Sequence, residues 1–293
     1  KTPAGAHAAL ANYIYEHLRP QSPLLFCPTD YMQNFDTPYR TVLRGALNEE
    51  ISVFWTGYNT VAEAVTDGDG EAAAASFGRK CVLWDNYPVN DFQPKRRIYL
   101  GAIQNRGRYL PRTHTGYIAN LSELYECSKI PLSTMAEYAW DSENYEAKKA
   151  LDKVVGTYFK GCVKAGKIFT ALNGNNVMCR EEKVRFAVEK EDFLFLDKHY
   201  RKVNESIKIL RKKAPVAFLE EAKALLNYAE NECELYFSFR RGEDISRFEK
   251  VLGESKYSTA DFSLLRYFNE KKGTHFRIDE ERKIYRKIGE DKW

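Results

Sequence analysis

The sequence predicts an α/β protein whose amino-terminal half contains a parallel sheet, followed by an all-α half. Apolar runs that end in polar residues alternate with helical segments, as strand and helix units do. The aromatic residues Phe26, Trp55 and Trp84, near the ends of three such runs, recur every 29 residues, which is the length of a βα unit in a parallel sheet. From about Asp141 the sequence is rich in Lys and Glu at helical spacing. At 293 residues the chain is long enough for two domains.

The predicted elements of the first half follow one another in a regular order. An amphipathic helix occupies the first 18 residues, with Ala8, Ala11, Ile14, Tyr15 and Leu18 on its apolar face. A helix opens at Thr37 with proline in its first turn, another follows a Gly/Asp loop in GEAAAASFG, and a third runs through SELYECSKIPLSTMAEYAW. The predicted strands are Pro23–Tyr31, Ile51–Asn59, the run from Cys81, and Thr115–Asn120. In parallel α/β folds, ligands bind at the carboxyl ends of the strands.

The second half is predicted to be a helical bundle. A 3-4 spacing of apolar residues from Phe218 to Tyr236, with Pro215 near a helix start, indicates a buried helix face. Residues 173–183 are predicted to be a loop between helices. The charge runs at Arg211–Lys213 and around Arg240 are typical of solvated helix faces rather than binding patches.

Composition and charge exclude several classes of function. The net charge of +4, from 45 basic and 41 acidic side chains, predicts no attraction to nucleic acid or membranes. Six scattered cysteines and five separated histidines lack the spacing of zinc ligands or a disulfide framework, so neither a metal nor a cofactor is expected. No apolar stretch reaches the length of a membrane span, and reduced thiols favour a soluble, cytoplasmic protein.

The segment Cys81–Phe92 carries the strongest chemical signal. Its apolar start gives way to a polar and aromatic set without Lys or Arg: Trp84, Asp85, Asn86, Tyr87, Asn90 and Asp91. Carboxylates and amides supply acceptors and donors for hydroxyl groups, and aromatic faces stack on C–H surfaces. This combination indicates a neutral, hydroxyl-rich ligand such as a sugar.

Five motifs in this order extend that interpretation to a family. FCPTDY, WTGYN, LWDNYPVNDF, RIYLGAIQNRG and GYIANLSELYECSKIPLSTMAEYAW resemble the second half of the catalytic barrel of family-84 glycoside hydrolases. These are β-N-acetylglucosaminidases that include protein O-GlcNAcases and bacterial enzymes called hyaluronidases. The resemblance runs from about His7 to Tyr145. It implies that residues 1–145 form strands five to eight of a (β/α)8 TIM barrel, and that residues 146–293 form the helical bundle domain that follows it.

The resemblance also implies a mechanism. In this family the acetamido oxygen of the substrate attacks the anomeric carbon with retention of configuration, a substrate-assisted variant of glycoside hydrolysis. Two adjacent aspartates at the end of the fourth barrel strand polarise the acetamide and protonate the leaving oxygen. That pair is expected upstream of Lys1, so the chain alone is expected to be inactive. Half a barrel leaves sheet edges open, and the expected partner is a missing barrel half from the same longer protein, a separate chain or a second copy.

The resemblance assigns sugar contacts to seven residues, and the expected substrate is a glycan or glycoprotein that carries N-acetylglucosamine. Trp84 and Cys27 would line the acetamido methyl pocket, while Tyr31 and Asn86 would bond around the acetamide. Asp91 would accept bonds from the O4 and O6 hydroxyls, beside Asn120. Val61 would approach the aglycone. Phe92 stands where relatives often carry tyrosine, so a hydroxyl contact is lost there.

Two other functions are compatible with these residues. One is a non-catalytic N-acetylglucosamine-binding or scaffolding protein that keeps the pocket without the chemistry. The other is an enzyme that uses Asp30, Asp85 or Asp91 of this chain as general acid and base. Each residue also has a purely structural interpretation, since Trp84 and Cys27 suit an apolar core and Asp85 suits a loop brace.

Overall fold

The computed structural model describes residues 2–18, 23–92, 95–259, 263–271, 276–279 and 284–287. Its first half contains four short strands: β1 (Leu25–Phe26), β2 (Ser52–Trp55), β3 (Cys81–Asp85) and β4 (His114–Ala119). The helices of this half are α1 (Pro3–Leu18), α2 (Pro38–Ala46), α3 (Asp67–Phe77) and α4 (Tyr125–Trp140). The strands lie in the order β1-β2-β3-β4 and every pair is parallel. The predicted succession of parallel strand and helix units is therefore confirmed.

Local sequence signals set where two of these helices begin. Thr37 caps α2 with its hydroxyl, which accepts a bond from the Arg40 amide at 3.1 Å, and Pro38 occupies the first turn as predicted. The prediction that the Gly/Asp segment before the alanines is a loop is wrong, because α3 begins at Asp67. The reason is a capping box, in which Thr66 and Asp69 each bond the backbone amide of the other. This stabilises a first turn that the glycines disfavour.

The two faces of the sheet have different environments. On one face, Val53, Trp55, Cys81 and Leu83 form a buried core with side chains of α1 to α4. The opposite face, which we call the open face, carries the four register-related side chains Leu25, Phe54, Trp84 and Ile118. None of these four belongs to a buried core cluster, and Leu25 and Ile118 are 41% and 37% exposed. The open face is therefore an apolar surface, and the described helices do not pack against it.

The second half is helical over most of its described length. Its elements are α5 (Ala147–Tyr158), α6 (Val163–Leu172), α7 (Lys183–Glu189), α8 (Phe193–Lys213), α9 (Val216–Glu221), α10 (Lys223–Arg240), α11 (Arg247–Gly253), α12 (Leu264–Lys271) and an antiparallel pair, β5 (Phe276–Asp279) and β6 (Ile284–Lys287). The predicted loop lies between α6 and α7, and the predicted apolar stripe from Phe218 to Tyr236 is buried. That stripe spans two helices, α9 and α10, because the helix is interrupted at Ala222. The hairpin was not predicted, and parts of the predicted bundle near residue 293 lie outside the described residues.

A second buried core holds this half together and extends into the first. It contains Phe159, Phe169 and Phe218, and also Ile98, Cys127 and Ile130 from the first half. The carboxylate of Glu221 accepts bonds from the amides of Glu126 and Cys127 at 3.0 and 2.9 Å, at the first turn of α4, where backbone N–H groups lack helical partners. The helices thus pack directly on α4. Within the described residues, no helix is long and apolar enough to cross a membrane.

Candidate active site

Polar groups that follow all four parallel strands form one hydrogen-bonded chain. Asn120, after β4, donates its amide N–H to Asn86 Oδ1 at 2.8 Å. Asn86, after β3, donates to the carbonyl of Thr60 at 2.6 Å. The hydroxyl of Thr60, after β2, lies 3.3 Å from that of Tyr31, after β1. Three of the seven predicted site residues are thus joined at one edge of the sheet, through a threonine that the sequence did not single out.

Trp84 lies on the open face beside that edge, and alternation from Leu25 puts Cys27, directly after β1, on the same side. Trp84 is half-buried, and its ring packs edge-on against Phe54 with centroids 5.2 Å apart. The indole N–H of Trp84 is buried and finds no acceptor among the described residues, although buried tryptophan N–H groups usually have one. Cys27 follows β1 directly and is exposed. Both side chains are accessible to a ligand on this face rather than sealed in the helix-side core.

Val61 and Asp91 occupy loops at the same end of the sheet. Val61 follows Thr60 and is partly exposed. The loop after β3 is held to the end of β4, because the Val89 amide donates to the Asn120 carbonyl at 3.0 Å. Asp91 lies two residues further and is exposed, and no hydrogen bond or ion pair between described residues involves its carboxylate. It is therefore free to accept bonds from a ligand.

A buried ion pair near the carboxyl end of the sheet positions the loop after β2 and the end of β3. Arg106 donates from Nε and Nη2 to the two carboxylate oxygens of Asp85, both at 2.8 Å, and Tyr117 donates its hydroxyl to Oδ2 at 2.9 Å. Arg106 also donates to the carbonyl of Ala62, in the loop after β2, at 3.2 Å. Burial opposes the charge of Arg106, but the Asp85 carboxylate raises its pKa above the ordinary value. Burial, and then Asp85, raise the pKa of Tyr117 well above its usual value.

Sequence reasoning missed Arg106 as a positioning residue. It lies within the motif RIYLGAIQNRG, but 21 residues separate it from Asp85, and no local pattern links the two. Asp85 itself is the loop brace that its structural interpretation predicted. Asp30 is similarly engaged, since its carboxylate accepts bonds from Gln33 and Thr37 and faces Arg40 at 3.6 Å. These contacts argue against Asp30 and Asp85 as a general acid and base.

Comparison with known proteins places this chain among the glycoside hydrolases. The family model for beta-N-acetylglucosaminidase matches residues 1–171, more than half of the chain. The chain belongs to this family, glycoside hydrolase family 84.

Curated relatives include the protein O-GlcNAcases of Rattus norvegicus and Mus musculus. Each is 29% identical over 141 residues, which is 46% of this chain but 15% of the relative. The match therefore spans less than a sixth of those proteins.

Two solved structures share the fold. CpGH84B superposes with a TM-score of 0.72 at 22% identity, over 91% of this chain and 55% of the other. A variant of the Thermobaculum terrenum O-GlcNAc hydrolase gives a TM-score of 0.72 at 23% identity, over 92% and 65%. At these identities the likeness shows the fold alone.

Proposed function

We propose that this chain forms the sugar-binding half of the active site of a retaining β-N-acetylglucosaminidase. The substrate is a terminal N-acetylglucosamine, and its own acetamido oxygen is the nucleophile. The observation that carries the proposal is the hydrogen-bonded chain through Tyr31, Thr60, Asn86 and Asn120. It places amide and hydroxyl groups from four parallel strands at the edge of the sheet where such folds bind ligands.

The roles proposed for the side chains are those that the family resemblance implies, and the positions of the side chains are compatible with them. Trp84 and Cys27, accessible on the open face, line the pocket for the acetamido methyl group. Tyr31 and Asn86 bond around the acetamide, where donors and acceptors are both needed. Asp91, which has no partner among the described residues, accepts bonds from the O4 and O6 hydroxyls.

The two remaining contacts lie at either side of this set. Asn120 shares the O4 and O6 edge of the sugar, because the loop that carries Asp91 is held to its backbone. Val61 faces the aglycone from the loop after β2. The Asp85–Arg106 pair touches no sugar in this proposal and acts by holding that loop and the end of β3.

We further propose that residues 1–145 are the second half of a TIM barrel, strands five to eight, and that residues 146–293 are a helical domain. Among the described residues, β1 and β4 each pair on one side only. A cavity of about 330 Å³ adjoins β4, with Leu83, Gly116 and Tyr138 in its wall. These unpaired edges and the exposed apolar open face suit a complementary barrel half. That half would bring the adjacent aspartates, from the same longer protein or from a separate chain.

The test uses the complete product of the gene that encodes this chain. It should release the chromophore from an aryl β-N-acetylglucosaminide and bind a thiazoline mimic of the oxazoline intermediate in calorimetry. Asp91→Ala should weaken that binding about tenfold or more, since a hydrogen bond to a charged group contributes about 1.5–3 kcal/mol. Glu71→Ala, an exposed carboxylate on α3, is the matched control and should bind normally. Unchanged affinity of Asp91→Ala would contradict the hydroxyl contact.

A second candidate is a non-catalytic protein that binds N-acetylglucosamine. It is favoured by the engagement of Asp30 and Asp85 in structural contacts, which leaves Asp91 as the free carboxylate among these three. Binding of the thiazoline without any turnover of the aryl glycoside would select this candidate. Absence of both binding and turnover would refute both.

A further inference from the structure

A cavity in the helical half has a different chemistry from the sugar site. It has a volume of about 290 Å³ and lies between α6, α8 and the start of α7. Its walls are largely apolar, with Ile168, Leu172, Phe195 and Val203 among the lining residues. This volume is near the lower end of the range for small-molecule sites. An apolar ligand body of roughly the size of one aromatic ring fits such walls.

The carboxylate of Glu232 lines this cavity from α10. Glu232 is 5% exposed and lies on the buried stripe of the helix, beside Ala229 and Cys233. Its Oε2 accepts a bond from the Thr259 hydroxyl at 2.7 Å, and no described residue donates to Oε1. A carboxylate that is only 5% exposed and accepts one hydrogen bond from the described residues is costly. An apolar residue on this stripe would stabilise the helix packing better, so the carboxylate points to a ligand.

The surrounding charges leave this carboxylate without a direct counter-ion. Lys95 is the nearby cation, but its ammonium donates to the Leu252 carbonyl and makes no ion pair with Glu232 among the described residues. Burial raises the pKa of Glu232 to about 7, and Lys95 opposes that rise. Tyr200 and Cys233 are the other titratable groups near the carboxylate, and burial raises the pKa of both, so both are neutral. Above pH 7 Glu232 is therefore an ionised carboxylate that forms no ion pair with any other described residue.

The rim of the cavity carries ion pairs and one exposed cation, Lys202, for which no ion pair is found among the described residues. Lys183 pairs with Glu181 at 3.1 Å, and Arg185 pairs with Glu182 at 3.1 Å. His199, also in the lining, is neutral at pH 7 because burial lowers its pKa to about 4. None of these lining groups forms an ion pair with Glu232 among the described residues, and the charge of Lys202, which opposes a cation, lies at the exposed rim.

We propose that this cavity binds a small organic cation, a primary amine carried on an apolar or aromatic body, with the ammonium on Glu232. An ammonium supplies three donors and no acceptor, which matches the empty position on Oε1. Its charge makes the hydrogen bond stronger than that of a neutral hydroxyl. The apolar body replaces solvent against the side chains of α6 and α8. This inference does not rest on the proposed glycosidase function.

The test compares two probes of nearly equal shape on the complete product of the gene that encodes this chain, at pH 8, where Glu232 is ionised. Phenethylamine should bind in calorimetry with a Kd of about 1 mM or tighter. 2-Phenylethanol, which replaces the ammonium by a hydroxyl, should bind at least tenfold more weakly. Equal affinity of the two probes would overturn the proposal, as would no detectable binding of the amine. This comparison needs no variant and is independent of any effect of mutation on folding.

Two variants assign the interaction to a residue. Glu232→Gln keeps an oxygen for Thr259 and removes the charge, so amine affinity should fall at least tenfold while the circular dichroism spectrum is preserved. Glu234→Gln is the matched control, because Glu234 lies on the same helix but is exposed, and affinity should change less than twofold. Wild-type affinity in Glu232→Gln would overturn the assignment.

Discussion

The buried pair of Asp85 and Arg106 gives the sharpest test of how the candidate site is built. The side chains are 4% and 3% exposed, and two bonds of 2.8 Å join them. Arg106→Met removes the guanidinium at similar length and leaves Asp85 as a buried charge. Breaking a buried pair on one side costs about 3–5 kcal/mol. The Ala62 carbonyl loses its donor as well, so we expect the free energy of unfolding to fall by at least that amount.

The assay is urea denaturation followed by circular dichroism and tryptophan fluorescence. Arg108→Met is the matched control, since Arg108 is exposed two residues away and should change stability by less than about 0.5 kcal/mol. Asp85→Asn combined with Arg106→Met removes both charges, and Tyr117 retains an oxygen to bond. The double variant should therefore be more stable than Arg106→Met alone. A loss below about 1 kcal/mol in Arg106→Met, or a double variant no better than the single, would refute this account of the pair.

Four further predictions concern single positions. Gly57→Ala should destabilise the fold by more than about 1 kcal/mol, because Gly57 has φ +102° and an added Cβ would lie 2.7 Å from that of Ala62. Gly45→Ala, in α2 with nothing within 4 Å of the new atom, should instead raise the free energy of unfolding by up to about 1 kcal/mol. Urea denaturation distinguishes the two variants, and a loss of stability in Gly45→Ala would contradict the argument. The free energy of unfolding of Glu232→Gln should equal that of the wild type near pH 4.5 and should exceed it by about 3 kcal/mol above pH 7. The reason is that burial raises the pKa of Glu232 from 4.5 to about 7. Between those pH values the folded wild type retains a proton that the unfolded chain releases, so its stability falls as pH rises; a difference that does not change with pH would refute this. Asn86→Ala should weaken thiazoline binding about tenfold while costing about 1 kcal/mol of stability, and calorimetry with unchanged affinity would exclude Asn86 from the site.

The succession of elements could be predicted because each element has a local signature. Alternating apolar runs, Thr37 with its proline, and the 3-4 spacing around Ala229 depend on residues a few positions apart. The start of α3 was missed because a capping box overrides the low helix propensity of two glycines. The face of the sheet on which each tryptophan lies could not be predicted from the sequence, because Trp55 pairs with Leu83 and not with Trp84. A difference of one residue in register puts the two tryptophans on opposite faces of the sheet.

The candidate site likewise contains residues that the sequence predicted and residues that it did not. Asn86 was singled out in the polar segment that starts at Cys81, Asn120 was assigned by the family resemblance, and the structure joins them. Thr60 and Arg106 were missed, because their contacts cross 21 to 29 residues and no spacing rule links positions that far apart. The chemistry of Asp91 also required the fold, which shows it exposed and without a partner among the described residues, while Asp30 and Asp85 are engaged.

The amino-acid sequence by itself determined the order of strands and helices, the family and the kind of chemistry expected at the strand ends. These properties depend on residue type and short spacing, which the chain carries directly. Tertiary structure alone decided which carboxylates are buried in ion pairs, which aromatic side chains reach the open face, and that a buried glutamate faces a cavity in the helical half. Those outcomes depend on register and packing between distant segments, and they arise only when the chain folds.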